Sequence, residues 1–381
     1  MQNTRLLNDE ESKKYISLRR RFHNPVIGVS GNLGRTSTLE MISSLLESRG
    51  KVLRNTRGYG SAANNLKLLE KLSMEYDYAL FEFDYHRGNN IGEILRIIKP
   101  TIGIVTNIGD AHLNYLSGAM RVVLEKSALV KYLARDGLAI LNKDDELSIS
   151  LSDAIATNNI VQFGLNKAAD YYATDIQQLG PEGTKFKISG KYDVQLPVYS
   201  IQDVYNFLAA AACAQNLGFT LQEIIDIFSK DFELAAGHGR LHKAGSYYLL
   251  DESYLATPRS LSKAARALIG FRPYSENLIL IAGDMAGAGV NVEEQHLNMG
   301  YFLSALPIKN LITIGEYAKF IAKGASLIKA DGKQIFSVNT INEVLNILNG
   351  ILSEEAVISI KGVGRVAAHR ILKFLNEKQN T

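Results

Sequence analysis

The sequence has 381 residues, 42 basic and 39 acidic side chains, a formal net charge of +3 and 46% hydrophobic residues. This charge balance gives no reason to expect nucleic acid or a membrane as a partner, and no apolar run reaches the roughly 18 residues that cross a bilayer. The length predicts two domains. The single cysteine, Cys213, rules out an internal disulfide and, with the polar N-terminus, indicates a cytoplasmic protein.

Short apolar runs alternate with amphipathic segments of helix length in the first half of the chain. The predicted strands are residues 26–30, 78–83, 102–106 and 138–141. The predicted helices are residues 36–48, 91–98 and 119–133. This alternation is typical of βαβ units around a mainly parallel sheet.

The pattern changes between residues 158 and 197. Residues 185–189 and 192–196 flank Gly190 and Lys191, which is typical of a hairpin and predicts a small antiparallel patch. Helices are predicted at residues 204–217 and 221–228.

A second α/β series follows. Its predicted strands are residues 247–251, 278–282, 311–314, 335–338 and 357–360. We therefore expect an N-terminal extension (1–23), a central domain (24–231) and a C-terminal α/β domain (232–381).

The sharpest local signal is a glycine-containing loop between the first predicted strand and helix. Its residues are Gly31, Asn32, Leu33, Gly34, Arg35, Thr36 and Ser37. Backbone N–H groups and a helix N-terminus at such a junction hold phosphate oxygens, and a hydroxyl at Thr36 is placed to ligate Mg²⁺. The loop is shorter than the usual phosphate loop, and Arg35, a flat fork, replaces the compact lysine. The alternative is a structural strand–helix turn.

Several segments in chain order resemble motifs of the Mur ligase family. They are the loop Gly31 to Thr36, Phe81-Glu82-Phe83, Thr106 to Leu113 with His112, Glu125-Lys126-Ser127, Leu141 to Asp145, Tyr205 to Ala210 with Asn206, Gly239-Arg240, Asp251 to Tyr254 with Pro258 and Ser260, Gly283-Asp284-Met285 with Gly289 and His296, and Lys361-Gly362. The later motifs are most similar to the branch that adds D-alanyl-D-alanine to the peptidoglycan precursor. The resemblance runs from about residue 24 to the C-terminus.

The resemblance implies a central P-loop ATPase domain with a mainly parallel sheet and a small antiparallel patch, followed by a Rossmann-like α/β domain. It implies an enzyme that joins a carboxylate to an amine through an acyl phosphate and releases ADP and phosphate. ATP and two Mg²⁺ ions are the implied cofactors. The substrates would be a small-molecule or peptide carboxylate and an amino acid or other amine.

The resemblance also implies roles for single residues. Arg35 and the loop backbone would hold the β- and γ-phosphates, and Thr36 would bind one Mg²⁺. Glu82 and His112 would bind the second Mg²⁺ with Lys126, which many family members carry as a carbamate. The alternatives are a solvent-facing charge at Glu82, a structural histidine at His112 and a salt bridge at Lys126.

In the second half, Asn206 would face the adenine and Arg240 would reach the γ-phosphate. Asp251 would contact either the ribose or Arg240. Weaker candidates for the side of the incoming amine are His296, Lys361 and Arg365. His296 is equally compatible with a surface position on a helix.

Two departures from the family pattern limit the inference. Only residues 1–23 precede the central domain, so the family's UDP-sugar-binding domain is not expected and a partner protein could replace it. The asparagines of a family motif are replaced by Leu255 and Thr257, which leaves the amine unidentified. The competing hypothesis is a non-catalytic subunit that binds nucleotide or supports a partner. The retained metal and phosphate residues, with Lys126 and Arg240, argue against it.

Overall fold

A computed structural model gives the structure of the chain and describes residues 7–55, 60–84, 91–108, 126–155, 157–286, 291–328 and 332–378. The chain divides into two compact units. The first unit contains the residues up to 175 together with 186–194 and 202–232, and the second contains 176–185, 195–201 and the residues from 233 onward. The predicted boundary at 231/232 lies one residue from the last of these divisions.

Among the described residues, nine strands form one sheet in the order β2-β3-β1-β4-β5-β6-β7-β8-β9. The strands are β1 (Val26–Ser30), β2 (Val52–Arg54), β3 (Tyr78–Phe83), β4 (Ile102–Val105), β5 (Leu138–Asn142), β6 (Ile160–Gly164), β7 (Tyr171–Gln178), β8 (Thr184–Ile188) and β9 (Tyr192–Leu196). Neighbours from β2 to β7 pair in parallel. The predicted strands are confirmed, and β8 lies beside β9 as the hairpin signature predicts.

Helices flank this sheet. They are α1 (Asp9–Arg20), α2 (Arg35–Glu47), α3 (Ala62–Leu69), α4 (Ile91–Ile98), α5 (Glu146–Ile149), α6 (Ile201–Asn216) and α7 (Leu221–Asp231). Residues 126–131 are helical, and residues 119–125 of the same predicted helix lie outside the described part of the chain. The predicted N-terminal extension contributes α1, and Tyr15 and Phe22 pack with the hydrophobic core of the first unit.

The order of the strands changes direction at β1. The next two strands, β2 and β3, lie on one side of it, whereas β4 lies on the other. In an open parallel sheet, ligands bind outside the carboxyl ends of the strands at such a point. The topology therefore places the loop after β1 where a ligand is expected.

The second unit is built on a sheet of six described strands in the order β10-β11-β15-β12-β13-β14. The strands are β10 (Arg240–Ala244), β11 (Tyr247–Glu252), β12 (Leu278–Ala282), β13 (Asn310–Ile314), β14 (Gln334–Val338) and β15 (Val357–Lys361). The helices are α8 (Pro258–Ile269), α9 (Val292–Ser304), α10 (Ala318–Leu327), α11 (Ile341–Ile351) and α12 (Arg365–Lys378). Only the edge pair β10 and β11 is antiparallel within this described sheet.

Alternate residues of the buried strands serve two separate cores. Leu278 and Leu280 pack on one face of the six-stranded sheet with residues of α8, α9 and α10. Ile279 and Ile281 pack on the opposite face with residues of α11 and α12. Such two-sided burial explains why these strands are continuous apolar runs in the sequence. The expected class, a mainly parallel α/β fold with a small antiparallel part, is confirmed.

No helix in the described part of the chain is both long and apolar enough to cross a membrane.

Candidate nucleotide and metal site

The loop after β1 is a tight turn that leads directly into α2. Gly31 and Gly34 have φ angles of 146° and 84°, a region that favours glycine. A Cβ at Gly31 would lie 1.9 Å from Thr106 Oγ1. Gly34 is the N-cap of α2 and supplies no side-chain cap, so the first N–H groups of the helix, at Arg35, Thr36 and Ser37, have no intrahelical acceptor and suit an anion.

The strand end after β4 braces this loop. The backbone N–H of Leu33 donates to Asn107 Oδ1 at 3.1 Å, and Asn107 Nδ2 donates to Leu33 O at 2.9 Å. Thr106 Oγ1 donates to Leu33 O at 2.7 Å, and the backbone N–H of Asn32 donates to Asn107 O at 2.9 Å. The structure thus assigns a bracing role to residues 106–107, which the sequence identified only as a family motif.

The end of β5 supports this brace in turn. Asn142 Nδ2 donates to Thr106 O at 2.9 Å, and Asp145 Oδ2 accepts from the backbone N–H of Ile108 at 2.9 Å. The motif from Leu141 to Asp145 therefore acts on the loop indirectly, because it fixes the residues that hold Leu33 in place.

Glu82 lies at the end of β3 beside the loop and is 4% exposed. Its Oε2 accepts from Thr36 Oγ1 at 3.0 Å, and its Oε1 lies 3.3 Å from Arg35 Nε. Burial raises the pKa of the Glu82 carboxyl above its ordinary value, and the guanidinium of Arg35 offsets this only in part. The alternative of a solvent-facing charge at Glu82 is therefore wrong.

A buried amide network fixes the backbone of Glu82. The Glu82 N–H donates to Asn55 Oδ1 at 3.0 Å, Asn55 Nδ2 donates to Asn65 Oδ1 at 3.0 Å, and Asn65 Nδ2 donates to Glu82 O at 3.1 Å. Neither asparagine was singled out from the sequence. Two buried amides in an otherwise apolar neighbourhood are the signal that points to such a support.

Arg35 lies across the opening between the loop and β3. Its Nη1 donates to Gly31 O, and its Nη2 lies 2.9 Å from Asp84 Oδ1. With the Glu82 contact, each guanidinium nitrogen has an oxygen partner. Asp84, two residues beyond Glu82, was not singled out from the sequence.

Lys126 also contacts the loop. It is 3% exposed, and its Nζ donates to Gly31 O at 2.8 Å. A protonated lysine cannot ligate a metal, so a metal role at this position requires the carbamate. The predicted ligand His112 lies outside the described residues, and so does Glu125, one of the neighbours that could form the alternative salt bridge with Lys126.

Asn206 packs against the turn at Gly34. A Cβ on Gly34 would come within 2.0 Å of Asn206 Oδ1. The amide of Asn206 is 1% exposed, accepts from Gln202 Nε2 at 3.1 Å and donates to Asp203 Oδ1 at 3.2 Å. These contacts place Asn206 beside the phosphate loop and give no separate support to a contact with adenine.

The oxygen atoms near the loop fit a hard divalent cation. Thr36 Oγ1 and Glu82 Oε2 are adjacent, and Mg²⁺ binds in proteins through a few such oxygens while it keeps waters and phosphate oxygens as other ligands. In the described residues, no group of three or more His, Cys, Asp and Glu side chains could hold a metal alone. A cation here would therefore depend on the nucleotide for part of its coordination.

In the second unit, Arg240 and Asp251 face each other across the β10–β11 pair. The guanidinium of Arg240 nevertheless pairs with Glu233. Asp251 instead accepts from the backbone N–H groups of Gly237 at 2.9 Å and Ser253 at 3.0 Å. Burial alone would raise the pKa of Asp251, but the nearby His242 ring, with its Nε2 3.9 Å from Asp251 Oδ2, and the hydrogen bonds from Ser253 and Gly237 lower it to about 2. The structure thus gives Asp251 a role in the turn before β10. Of the two expected partners of Asp251, Arg240 is wrong, because the Arg240 guanidinium pairs with Glu233 instead.

The carboxyl ends of β11 and β15 carry a buried ion cluster. Glu252 is 3% exposed and lies 2.9 Å from Lys263 Nζ and 3.7 Å from Lys361 Nζ. Burial lowers the pKa of Lys361, and Glu252 opposes this shift. Lys361, a weak candidate from the sequence, is therefore part of an internal charge network.

His296 is a structural residue. It is fully buried, its Nε2 accepts from the backbone N–H of Met285 at 2.9 Å, and its Nδ1 lies 2.7 Å from Val292 O. Both ring nitrogens are satisfied by backbone, so a role in binding the amine or a position on the surface is wrong. The contact joins α9 to the segment after β12, and the motif alone did not reveal it.

The fold and the braced loop define a phosphate-loop α/β protein. Residues 29–214 match the family model of the Mur ligase middle domain. The chain is 28% identical over 361 residues to the UDP-N-acetylmuramoyl-tripeptide–D-alanyl-D-alanine ligase of Escherichia coli K12, with 92% of the chain and 77% of the relative covered. It is 29% identical to the ligase of the same name from Synechocystis, with 78% and 63% covered.

Solved structures show the same fold. MurF from Acinetobacter baumannii has a TM-score of 0.81 at 24% identity, with 97% of this chain and 80% of that chain covered. MurF from Thermotoga maritima in complex with ADP has a TM-score of 0.82 at 19% identity, with 100% and 88% covered. The chain is therefore similar to Mur ligases over most of its length, and residues 29–214 carry the match to the middle domain of that family. None of these relatives supports the non-catalytic alternative.

Proposed function

We propose that the chain is an ATP-dependent ligase that forms an amide bond between a carboxylate and an amine. The observation that carries the proposal is the convergence of Arg35, Thr36, Glu82 and Lys126 on one loop at the carboxyl ends of parallel strands. The relatives are named as ligases of a UDP-N-acetylmuramoyl-tripeptide and D-alanyl-D-alanine, and these names support the same class of reaction.

Each of these groups has a task in this reaction. The first N–H groups of α2 and the guanidinium of Arg35 would hold the β- and γ-phosphates of ATP. Thr36 and Glu82 would hold Mg²⁺, which neutralises charge on the phosphates when it is bound. Lys126 would lie beside the transferred phosphoryl group, either as a cation or as a carbamate that holds a second Mg²⁺ with His112.

The chemistry has two steps. An oxygen of the substrate carboxylate attacks the γ-phosphorus of ATP, and the bond from this phosphorus to the β-phosphate oxygen breaks. The products of this step are an acyl phosphate and ADP, which is the leaving group. The neutral amine then attacks the acyl carbon, phosphate leaves, and the amine loses a proton. The activated acid reacts because phosphate is a better leaving group than hydroxide. Positioning and charge neutralisation supply most of the catalysis.

The substrates are proposed only as classes: a small-molecule or peptide carboxylate and an amino acid or peptide amine. We place this reaction in the cytoplasm, where ATP is available. A partner protein could present the carboxylate.

The test is phosphate release by the purified chain with MgATP and panels of amino acids and carboxylates. We expect phosphate only when both substrates are present, together with a product whose mass equals the two substrates minus water. MgADP and a non-hydrolysable MgATP analogue should bind by calorimetry. Failure to bind either nucleotide would contradict the proposal.

A further inference from the structure

The guanidinium of Arg35 is held by two carboxylates on the same strand end. Its Nε lies 3.3 Å from Glu82 Oε1 and its Nη2 lies 2.9 Å from Asp84 Oδ1. Glu82 and Asp84 are two residues apart, so in extended backbone their side chains leave on the same side. Asp84 is anchored because its backbone N–H donates to Gly60 O at 2.9 Å.

The two carboxylates are not equivalent. Glu82 is shared, because its other oxygen accepts from Thr36, the proposed Mg²⁺ ligand. A cation bound at Thr36 and Glu82 would draw the Glu82 oxygens to itself and weaken the contact with Arg35, which is already the longer of the two. Asp84 would then be the acidic partner that remains on the guanidinium.

An arginine in this position needs such a partner more than a lysine does. The planar fork of Arg35 presents several donors in fixed directions, so its orientation decides which edge faces the loop. Its side chain is 17% exposed and that of Asp84 is 25% exposed. A pair that is this far buried is screened by salt less than a surface pair.

We propose that Asp84 is a positioning residue, which holds Arg35 beside the phosphate loop when Mg²⁺ occupies Glu82, and thereby lets an arginine bind the nucleotide phosphates. This inference rests on the proposed function.

The experiment measures MgADP affinity by calorimetry, with and without metal, for the wild type, Asp84→Asn, Arg35→Lys and the double variant. We expect Asp84→Asn to weaken MgADP about tenfold, but to weaken ADP in EDTA less than about threefold, since Glu82 then stays on Arg35. When Arg35 is already replaced by lysine, Asp84→Asn should weaken MgADP binding by less than a further factor of about two. Asp84→Glu should restore part of the lost affinity.

Glu70→Gln is the matched control, because it breaks an exposed ion pair with Lys14 in the same unit and should leave affinity unchanged. Once ligase substrates are known, Asp84→Asn should raise the KM for MgATP and leave kcat within about twofold.

Three results would overturn the inference while the proposed function stands: unchanged MgADP affinity in Asp84→Asn, an equal loss with and without metal, or additive losses in the double variant. A wild-type chain that binds no nucleotide would overturn both.

Discussion

Two buried glutamates at strand ends, Glu82 in the first unit and Glu252 in the second, carry opposite electrostatic signatures. Their exposures are 4% and 3%. Burial raises the pKa of Glu82, which Arg35 offsets only in part. Burial acts on Glu252 in the same direction, but Lys263 and Lys361 outweigh it and lower the pKa.

The difference shows which edge has room for another cation. Glu252 is already neutralised by Lys263 and Lys361, so the sheet edge that carries it needs no further cation. Glu82 shares one guanidinium with Asp84 and would gain from a further positive charge. Substitutions around Glu82 should therefore affect nucleotide binding and catalysis, whereas substitutions around Glu252 should affect the free energy of unfolding.

The largest effect is expected for Glu82→Gln. The amide keeps the shape of the side chain but loses the charge that would hold Mg²⁺, so kcat/KM should fall roughly a thousandfold. The melting temperature should change little, because the substitution also removes a buried charge of raised pKa. Steady-state kinetics and thermal melts check both parts. A variant with full activity and a much lower melting temperature would show that Glu82 has a structural role and no role in catalysis.

Glu252→Ala should show the opposite behaviour. It leaves Lys361 buried without its acidic partner, and the free energy of unfolding should fall by about 3 kcal/mol in urea titrations. Glu377→Ala is the control, since it removes the exposed partner of Lys373 and should cost less than about 0.5 kcal/mol. Equal losses in the two variants would show that the buried cluster does not stabilise the second unit.

The Gly34→Ala substitution sharpens the comparison at the backbone. The φ angle of 84° is strained for alanine, and the new Cβ would collide with the Asn206 amide at 2.0 Å. We expect MgADP affinity to fall on the order of tenfold to a hundredfold by calorimetry, because the first turn of α2 must shift. Gly92→Ala is the control, as its Cβ would meet Tyr132 at an ordinary 3.8 Å. An unchanged affinity in Gly34→Ala would argue against a phosphate role for this turn.

The sequence predicted the elements whose pattern is local. Apolar runs located β1, β3 and β12, and Gly31 and Gly34 located the loop between a strand and a helix. The strands β2, β6, β7 and β10 were not predicted. The first is only three residues long, and β7 alternates polar and partly buried residues without a continuous apolar run.

The contacts of the site depend on distant segments and could not be obtained in the same way. Asp84 meets Arg35 because β3 pairs with β1 in a register that sets Glu82 opposite Val29, one residue before the end of β1. The pairing of Arg240 with Glu233 and the burial of His296 likewise depend on tertiary packing. A motif predicts that a residue is near a site, whereas the hydrogen bonds show what it holds.

A dependence on pH, not a loss at a single pH, is expected at His238 in the second unit. Burial lowers the pKa of this imidazole to about 4, the nearby cations Lys361, Lys263 and Arg365 act in the same direction, and Glu252 opposes them. Between pH 4 and an unfolded value near 6.5, the unfolded chain binds a proton that the folded chain does not. The free energy of unfolding should therefore rise with pH across this window and gain nothing further from this group above it.

His238→Gln tests this linkage when urea titrations are run from pH 4.5 to 7.5. The slope of unfolding free energy against pH should be shallower than in the wild type by up to about 1.4 kcal/mol per pH unit, the limit for one proton. If His238→Gln kept the wild-type slope, the imidazole would be protonated in the folded state. Glu252 would then have one more positive charge near it, and the difference in neutralising charge between Glu252 and Glu82 would become larger.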